Sequence, residues 1–257
     1  MKFENDKSIL QQKMSASYVG ISRRQAMIKA LNISKGDRIL DIGCGGGHLI
    51  EDIAKSVGKE GKAIGIDPSS SQINSAEELC SELDNTLFYC CLADKIDLEN
   101  DSIDAATSIQ TFEYIKDIDT ALLEVKRLLK PRSKFFNIST LWDYYRFHGP
   151  EKKLNDLMHD VFKEHCAHQM VPTFLNGKLQ NLGFKDIKTS ELAYIFTKRD
   201  ENSFAKYAET LIATFALSKG VEEEKVKEWK RQLKEAEDKG TFCFTSIPVL
   251  TSAYLEK

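Results

Sequence analysis

From Arg38 onward the chain alternates short apolar runs with amphipathic stretches. Arg38-Ile-Leu-Asp-Ile42 is apolar and short, which predicts a buried strand. His48 to Val57 predicts a helix, broken by Gly58 and Gly61. Ala63-Ile-Gly-Ile66 predicts a second strand. Ser71 to Leu83 predicts a helix with Ser69 or Ser70 as its cap. Thr86 to Cys91 and Ile103 to Ile109 predict the third and fourth strands. Asp117 to Leu129 predicts a helix stopped by Pro131, and Lys134 to Ser139 a fifth strand. Strands and helices that alternate through short Gly, Asp and Ser joints imply a parallel sheet with helices on both faces. Right-handed crossovers then leave a doubly wound α/β sheet as the simplest topology.

The flanks differ from this centre. The first 36 residues read as a helical segment, with Tyr18, Ile21, Ile28 and Leu31 as an apolar stripe interrupted by Gln25. In the second half, Gly149 to Met170 is polar, helical and rich in histidine. Pro172 to Leu182 predicts a helix, and Phe184 to Leu192 a strand. Asp200 to Gly240 predicts two helices broken near Lys219-Gly220. Thr241 to Leu255 is apolar and β-rich, with Pro248 confining it to a sheet edge or marking a bulge. No internal repeat and no low-complexity linker divides the chain, so residues 1–257 are expected to form one domain. The insertions 149–170 and 200–240 are expected to lie over the ligand-binding edge as a helical lid for substrate; a position on the far side of the sheet would exclude that.

Composition narrows the classes. A chain of 257 residues is one large domain, or one domain with an insertion. The formal net charge is −3, with no dense Lys/Arg face, so the footprint of a nucleic-acid binder is missing. Glu222 to Lys239 mixes both signs at helical spacing, as a solvated helix face does. The opening MKFENDKSIL lacks a signal-peptide core, and no apolar run is long enough for a membrane span. The six cysteines form no CxxC pair, and the adjacent Cys90 and Cys91 would point to opposite faces of a strand. Together these features lead us to expect reduced thiols in a cytoplasmic protein.

The chemistry concentrates at Asp41-Ile-Gly43-Cys44-Gly45-Gly46-Gly47, between a strand and a helix. Glycines at such a joint allow a sharp turn and a close approach to a ligand. Open parallel sheets bind ligands beyond the carboxyl ends of their strands. A dinucleotide fingerprint would need G-x-G-x-x-G. From Gly43 the third glycine is replaced by His48, and from Gly45 by Ile50. Asp41 at the strand end would repel a diphosphate and suits an ammonium-bearing ligand. Asp67 ends the second strand, 24 residues after Gly43. That is close to the spacing at which an acid accepts from ribose hydroxyls. Asp94 follows the third strand, where a carboxylate can accept from an adenine amino group. Ribose, adenine and ammonium without phosphate is the ligand chemistry these three acids fit.

Arg38–Gly47, Ala63–Pro68, Leu92–Asp94 and Asp101–Pro131 resemble the motif series of class I S-adenosyl-L-methionine (SAM)-dependent methyltransferases. The similarity is greatest to the small-molecule branch, the ubiquinone/menaquinone-type and "type 11" enzymes. It extends over residues 20–140 and weakens beyond. The resemblance implies a Rossmann-like, mostly parallel seven-stranded sheet. It implies that Gly43, Cys44 and Gly45 contact the methionine part of SAM, with Asp41 near its amino group. Asp67 would take the ribose hydroxyls, with Pro68 or Ser69 beside the adenine and Ala93 and Asp94 at its edge. Gln110 and Phe112 would line the sulfonium region, and Tyr18 would cover the cofactor. Arg132-Ser133 stands where the family commonly has Gly-Gly.

Each residue also has a plainer reading: a cap for Asp94, packing for Gln110, Phe112 and Tyr18. His159, His165, Cys166 and His168 suggest a metal, but no complete zinc pattern is present, and we expect none. The acceptor is expected to be a small molecule of apolar or aromatic character, and Trp142, Tyr144, Tyr145 and Phe147 after the fifth strand either form its pocket or pack in the core. Cys44, Cys166 and Cys243 are too dispersed for arsenical chemistry. Methyl transfer from a sulfonium needs positioning and no protein nucleophile. If a general base is used, His148, His165 and Asp143 are the candidates. Two rivals remain at this level: a catalytically silent SAM-binding module acting through a partner, and a nicotinamide-dependent oxidoreductase.

Overall fold

A computed structural model describes residues 5–256, with the side chains of residues 5–9 and 11 left aside. Two helices open the chain, α1 (Asn5–Ala16) and α2 (Tyr18–Leu31). Ser17 caps α2 by accepting from the Gly20 N–H. The alternating centre follows: β1 (Arg38–Ile42), α3 (His48–Val57), β2 (Lys62–Ile66), α4 (Ser70–Leu79), β3 (Thr86–Tyr89), β4 (Ile103–Ile109), α5 (Ile118–Leu128) and β5 (Leu129–Thr140). The second half holds β6 (Arg146–His148), α6 (Lys152–Phe162), α7 (Val171–Asn181), β7 (Phe184–Glu191) and β8 (Tyr194–Phe196). It ends with α8 (Phe204–Ser218), α9 (Glu223–Asp238), β9 (Cys243–Ser246) and β10 (Pro248–Leu255).

Seven strands form one sheet in the order β3-β2-β1-β4-β5-β10-β7, with β10 antiparallel to both neighbours. This is the expected mostly parallel, doubly wound sheet. Side-chain alternation sends successive residues to opposite faces. On one face Leu40, Ile42, Ile64 and Phe135 pack with Leu122 and Val125 of α5 and Leu175 of α7. On the other, Ile39, Ala63 and Phe136 pack with Met27 of α2 and Ile50 and Ile53 of α3.

The insertions build a third core of their own. Phe147, Met158, Phe162, Phe204, Ile212, Trp229, Leu233 and Phe244 enclose it, beneath a small sheet of order β6-β9-β8. His159 is a structural part of it: its Nε2 accepts the Phe147 N–H at 3.1 Å, and burial holds its pKa down to about 3. Among the described residues no helix is long and apolar enough to cross a membrane.

The structure corrects four boundaries. Pro131 does not stop α5 ahead of a gap, because β5 begins at Leu129 directly after the helix. The register slips between Ile103 and Ala105, and this bulge takes up Pro131. Arg132 adopts φ 65° there, the left-handed conformation for which the family's glycine is suited. Next, α4 ends at Leu79, four residues early. There Cys80 N–H caps onto Ala76 O, and Leu83 N–H turns back onto Cys80 O. Then β3 stops at Tyr89, so Cys90 and Cys91 lie outside the strand. Lastly, Pro248 is neither at an edge nor in a bulge. It is the first residue of β10, where a strand tolerates proline, and it marks where the chain leaves the small sheet for the large one.

Candidate active site

A cavity of about 770 Å³ opens at the carboxyl ends of β1, β2 and β4. The glycine loop after β1 forms its floor. Gly43 (φ 73°) and Gly47 (φ 84°) need the left-handed conformation. A Cβ on Gly43 would lie 2.1 Å from Thr111 Oγ1, and one on Gly47 2.8 Å from the Ala76 Cβ. The loop is fastened to β2, because the N–H groups of Gly43 and Cys44 both donate to Ile66 O, at 2.8 and 2.9 Å.

Two acids flank the bend. Asp67 Oδ2 accepts from the Gly45 N–H at 3.1 Å, and Oδ1 from the Ser69 N–H at 2.9 Å. Burial raises its pKa, against these two hydrogen bonds. Asp41 is 3% exposed, and Thr107 Oγ1 lies 2.9 Å from its Oδ1. Burial pushes its carboxyl up to about 7, with the Asp67 charge adding to the effect. Cys44 lines the floor as a thiol that burial keeps protonated.

The far wall is aromatic. Trp142, Tyr114, Phe204 and Leu211 line it together with His165. His165 Nδ1 sits 2.6 Å from Phe162 O. A carbonyl only accepts, so Nδ1 carries the proton and Nε2 presents a bare lone pair. Nε2 is buried and has no hydrogen-bond partner among the described residues. Burial lowers the ring's pKa to about 4, which keeps it neutral.

The cavity therefore gathers Asp41, Gly43, Cys44, Gly45, Asp67, Pro68, Ser69, Gln110 and His165. Other residues singled out in the sequence lie outside its lining. Phe112 is fully buried and packs edge-on against Phe135. Ala93 is half-buried and Asp94 exposed. Tyr18 is 73% exposed and meets the Tyr194 ring edge. Among the candidate bases, His148 belongs to the small sheet, and Asp143 is half exposed beside Lys163. Trp142 lines the cavity, whereas Tyr145 and Phe147 belong to the third core.

Sequence reasoning missed Arg23, Arg24, Gln72 and Thr111, all of which line the cavity. The signal for Arg23 was present. The buried face of α2 runs Val19, Arg23, Met27, Leu31, whereas the expected stripe had included the exposed Tyr18 and Ile21. A charged residue in phase with a buried stripe needs a partner or a ligand.

A glycine bend flanked by acids, at strand ends of a doubly wound sheet, defines a nucleoside-binding Rossmann-like domain of the kind that methyltransferases use. A family model described as a methyltransferase domain matches residues 33–237, and the chain belongs to that family. It is 34% identical over 118 residues to a 2-phytyl-1,4-naphtoquinone methyltransferase of Synechococcus elongatus, covering 45% of this chain and 49% of the relative. The chain spans about half the length of the curated relatives it matches first. Its fold is similar to that of the YcgJ protein of Bacillus subtilis, with a TM-score of 0.64, 16% identity, and 92% and 99% of the two chains covered. It is also similar to phosphoethanolamine N-methyltransferase 2 of Haemonchus contortus, solved with S-adenosyl-L-methionine. There the TM-score is 0.66 at 18% identity, covering 98% of this chain and 57% of the other.

Proposed function

We propose that this protein transfers a methyl group from SAM to a small-molecule acceptor. The observation that carries the reading is the bend itself. Asp41 and Asp67 face the cavity from adjacent strand ends, on either side of a backbone that leaves no room for a Cβ at Gly43 or Gly47. The residues fit SAM. Asp67 offers carboxylate oxygens to ribose hydroxyls, Asp41 suits the amino group, and Gly43 to Gly45 present backbone to the methionine part. Pro68 and Ser69 lie where the adenine would extend, and Gln110 faces the sulfonium region. Ala93, Asp94, Phe112 and Tyr18 are left out of this assignment because none lines the cavity.

SAM supplies an activated methyl group, so the protein mainly positions the acceptor and excludes water. The Trp142 and Phe204 wall provides a dry, apolar surface for the acceptor. His165 is the base this reading keeps. An acceptor that loses a proton as its new bond to carbon forms can deliver it to Nε2, while the electron pair of the breaking bond stays on sulfur. His148 and Asp143 are not kept. The insertions 149–170 and 200–240 act as the cover over the acceptor, a role supported by His165 from the first and Phe204 and Leu211 from the second. The whole chain is read as one domain. Six free thiols support a cytoplasmic location.

The test is calorimetric titration of S-adenosylhomocysteine and of NADPH into the purified protein. One site for the first and no heat from the second is expected. Binding of NADPH alone would favour the oxidoreductase reading. A silent module would bind the donor product but release none of it from SAM with any acceptor.

Donor affinity should depend on pH through Asp41. Its carboxyl titrates near 7 in the ligand-free protein, and an ammonium partner stabilises only the ionised form. The affinity contribution is therefore present above about pH 7 and falls by up to about tenfold per unit below it. Titrations between about pH 5.5 and 7.5, in buffers of different ionisation enthalpy, should show proton release on binding. Asp41→Asn should flatten the profile. A wild-type profile already flat would contradict the assignment.

A further inference from the structure

Arg23 is 4% exposed, yet its described hydrogen bond goes from one Nη to Oε1 of Gln110, a neutral amide. Its Nε and second Nη have no hydrogen-bond partner among the described residues. Burial lowers its pKa, but a guanidinium stays protonated in proteins. The carboxyl group that acts on it is that of Glu113, whose oxygens are taken by the Thr140 N–H at 2.8 Å and Ser139 Oγ at 3.2 Å. Burial raises that carboxyl to about 7, and both of its oxygens are engaged by groups other than Arg23. Gln110 is itself held in place, with φ 53° and its Nε2 donating to Thr140 Oγ1 at 3.0 Å. The guanidinium is thus fixed at the cavity wall with donors to spare.

Two further donors lie on the same side. Among the described residues the Trp142 indole N–H, on the cavity wall, and the Tyr145 hydroxyl, in the third core behind it, are buried without hydrogen-bond partners, and their rings are 4.8 Å apart. Tyr145 also acts electrostatically on Arg23. The Arg23 guanidinium lies 5.3 Å from the Phe204 ring and 6.0 Å from that of Tyr194, on the side of the third core. Arg24 belongs to the opposite side. Its Nη1 donates to Ser15 O at 2.7 Å, and its Nε lies 3.4 Å from Asp52 on α3, beside the glycine loop. The two neighbouring arginines thus divide between the donor end and the aromatic end.

We propose that Arg23, with Trp142, forms an oxyanion subsite at the aromatic end, and that the methyl acceptor is an apolar molecule bearing a carboxylate or equivalent oxyanion. This rests on the methyltransferase reading. A buried cation whose hydrogen-bond partner is neutral is costly, and a charge-assisted fork to an anion removes that cost. A carboxylate could also come from the methionine part of the donor, and the experiment separates the two sources.

The protein is first titrated with S-adenosylhomocysteine; absence of binding would overturn the methyltransferase reading before any probe is added, and this proposal with it. The loaded protein is then titrated with 4-hydroxyphenylacetate and its neutral amide, 4-hydroxyphenylacetamide. Wild type is expected to prefer the carboxylate by about tenfold or more, and Arg23→Gln to lose that preference while its S-adenosylhomocysteine affinity stays within about threefold. No preference in wild type, or no binding of the carboxylate at millimolar concentration, overturns the proposal. So does an Arg23→Gln protein that loses S-adenosylhomocysteine affinity but keeps that for methylthioadenosine, which lacks the carboxylate. Arg23→Met covers the case in which the glutamine variant does not fold. Removing an unsatisfied buried charge should leave the ligand-free melting temperature unchanged or higher. A clear fall would mean that the protein already satisfies the cation, against the proposal.

Discussion

Gly43→Ala is expected to abolish donor binding and to cost about 2–4 kcal/mol of folding stability. Two effects add. The residue needs φ 73°, where an L side chain is disfavoured by about 1–2 kcal/mol. The new Cβ would also lie 2.1 Å from Thr111 Oγ1, 2.4 Å from its Cγ2 and 2.8 Å from its Cβ. Relief requires moving the β4–α5 connection or the loop itself, and the loop is tied to β2 by the bonds from Gly43 and Cys44 to Ile66. Denaturant unfolding and calorimetry measure the two effects separately. Gly43→Ala with Thr111→Gly should recover part of the stability, since the collision is removed and the backbone strain remains. Gly46→Ala is the contrasting variant. Its Cβ would meet nothing closer than Gln72 Oε1 at 3.7 Å, so stability should hardly change.

Asp67→Ala should weaken donor affinity by about 1–3 kcal/mol, through loss of charge-assisted hydrogen bonds to the ribose. The structure adds a second cause. In the ligand-free protein the carboxylate already holds the Gly45 and Ser69 N–H groups, so its removal loosens the floor as well as the ribose contact. Asp67→Asn should fall between wild type and alanine, because the amide keeps one acceptor oxygen. Calorimetry with S-adenosylhomocysteine gives the numbers. A folded Asp67→Ala protein with unchanged affinity would remove Asp67 from the site.

The donor half of the cavity was legible because its physics is local. A strand, a bend that only glycine can make, and an acid at the next strand end all lie within Arg38–Asp67. The strands of the large sheet and its two-sided layering were legible for the same reason, since each element carries its own period. What failed was long-range. The strands β6 and β8 are three residues each, too short for alternation to register, so the small sheet was invisible. The expected helix–proline–strand order around Pro131 was local reasoning overruled by a bulge opposite Asp104. Ala93, Asp94, Phe112 and Tyr18 came from motif position, and position along the chain does not fix which way a side chain faces. Tyr18 lies on the surface and Phe112 in the core.

The acceptor half depends on contacts between distant segments. His165 was singled out only as one of a histidine cluster, and its usefulness as a base comes from Phe162 O fixing its tautomer. Arg23 was overlooked because the apolar residues Tyr18, Ile21 and Ile28 outline a different face from the buried Val19, Arg23 and Met27. Its charge then looked like part of a polar face. The lesson is physical: an arginine in register with Val19, Met27 and Leu31 must be buried, and burial of a cation demands an explanation.

The most direct test of the account is a crystal structure with S-adenosylhomocysteine. The ribose hydroxyls should bind the Asp67 carboxylate, the amino group should lie toward Asp41, and the sulfur should face the wall of Trp142 and His165. A ligand seated outside the glycine bend, or one whose ribose makes no contact with Asp67, would contradict it.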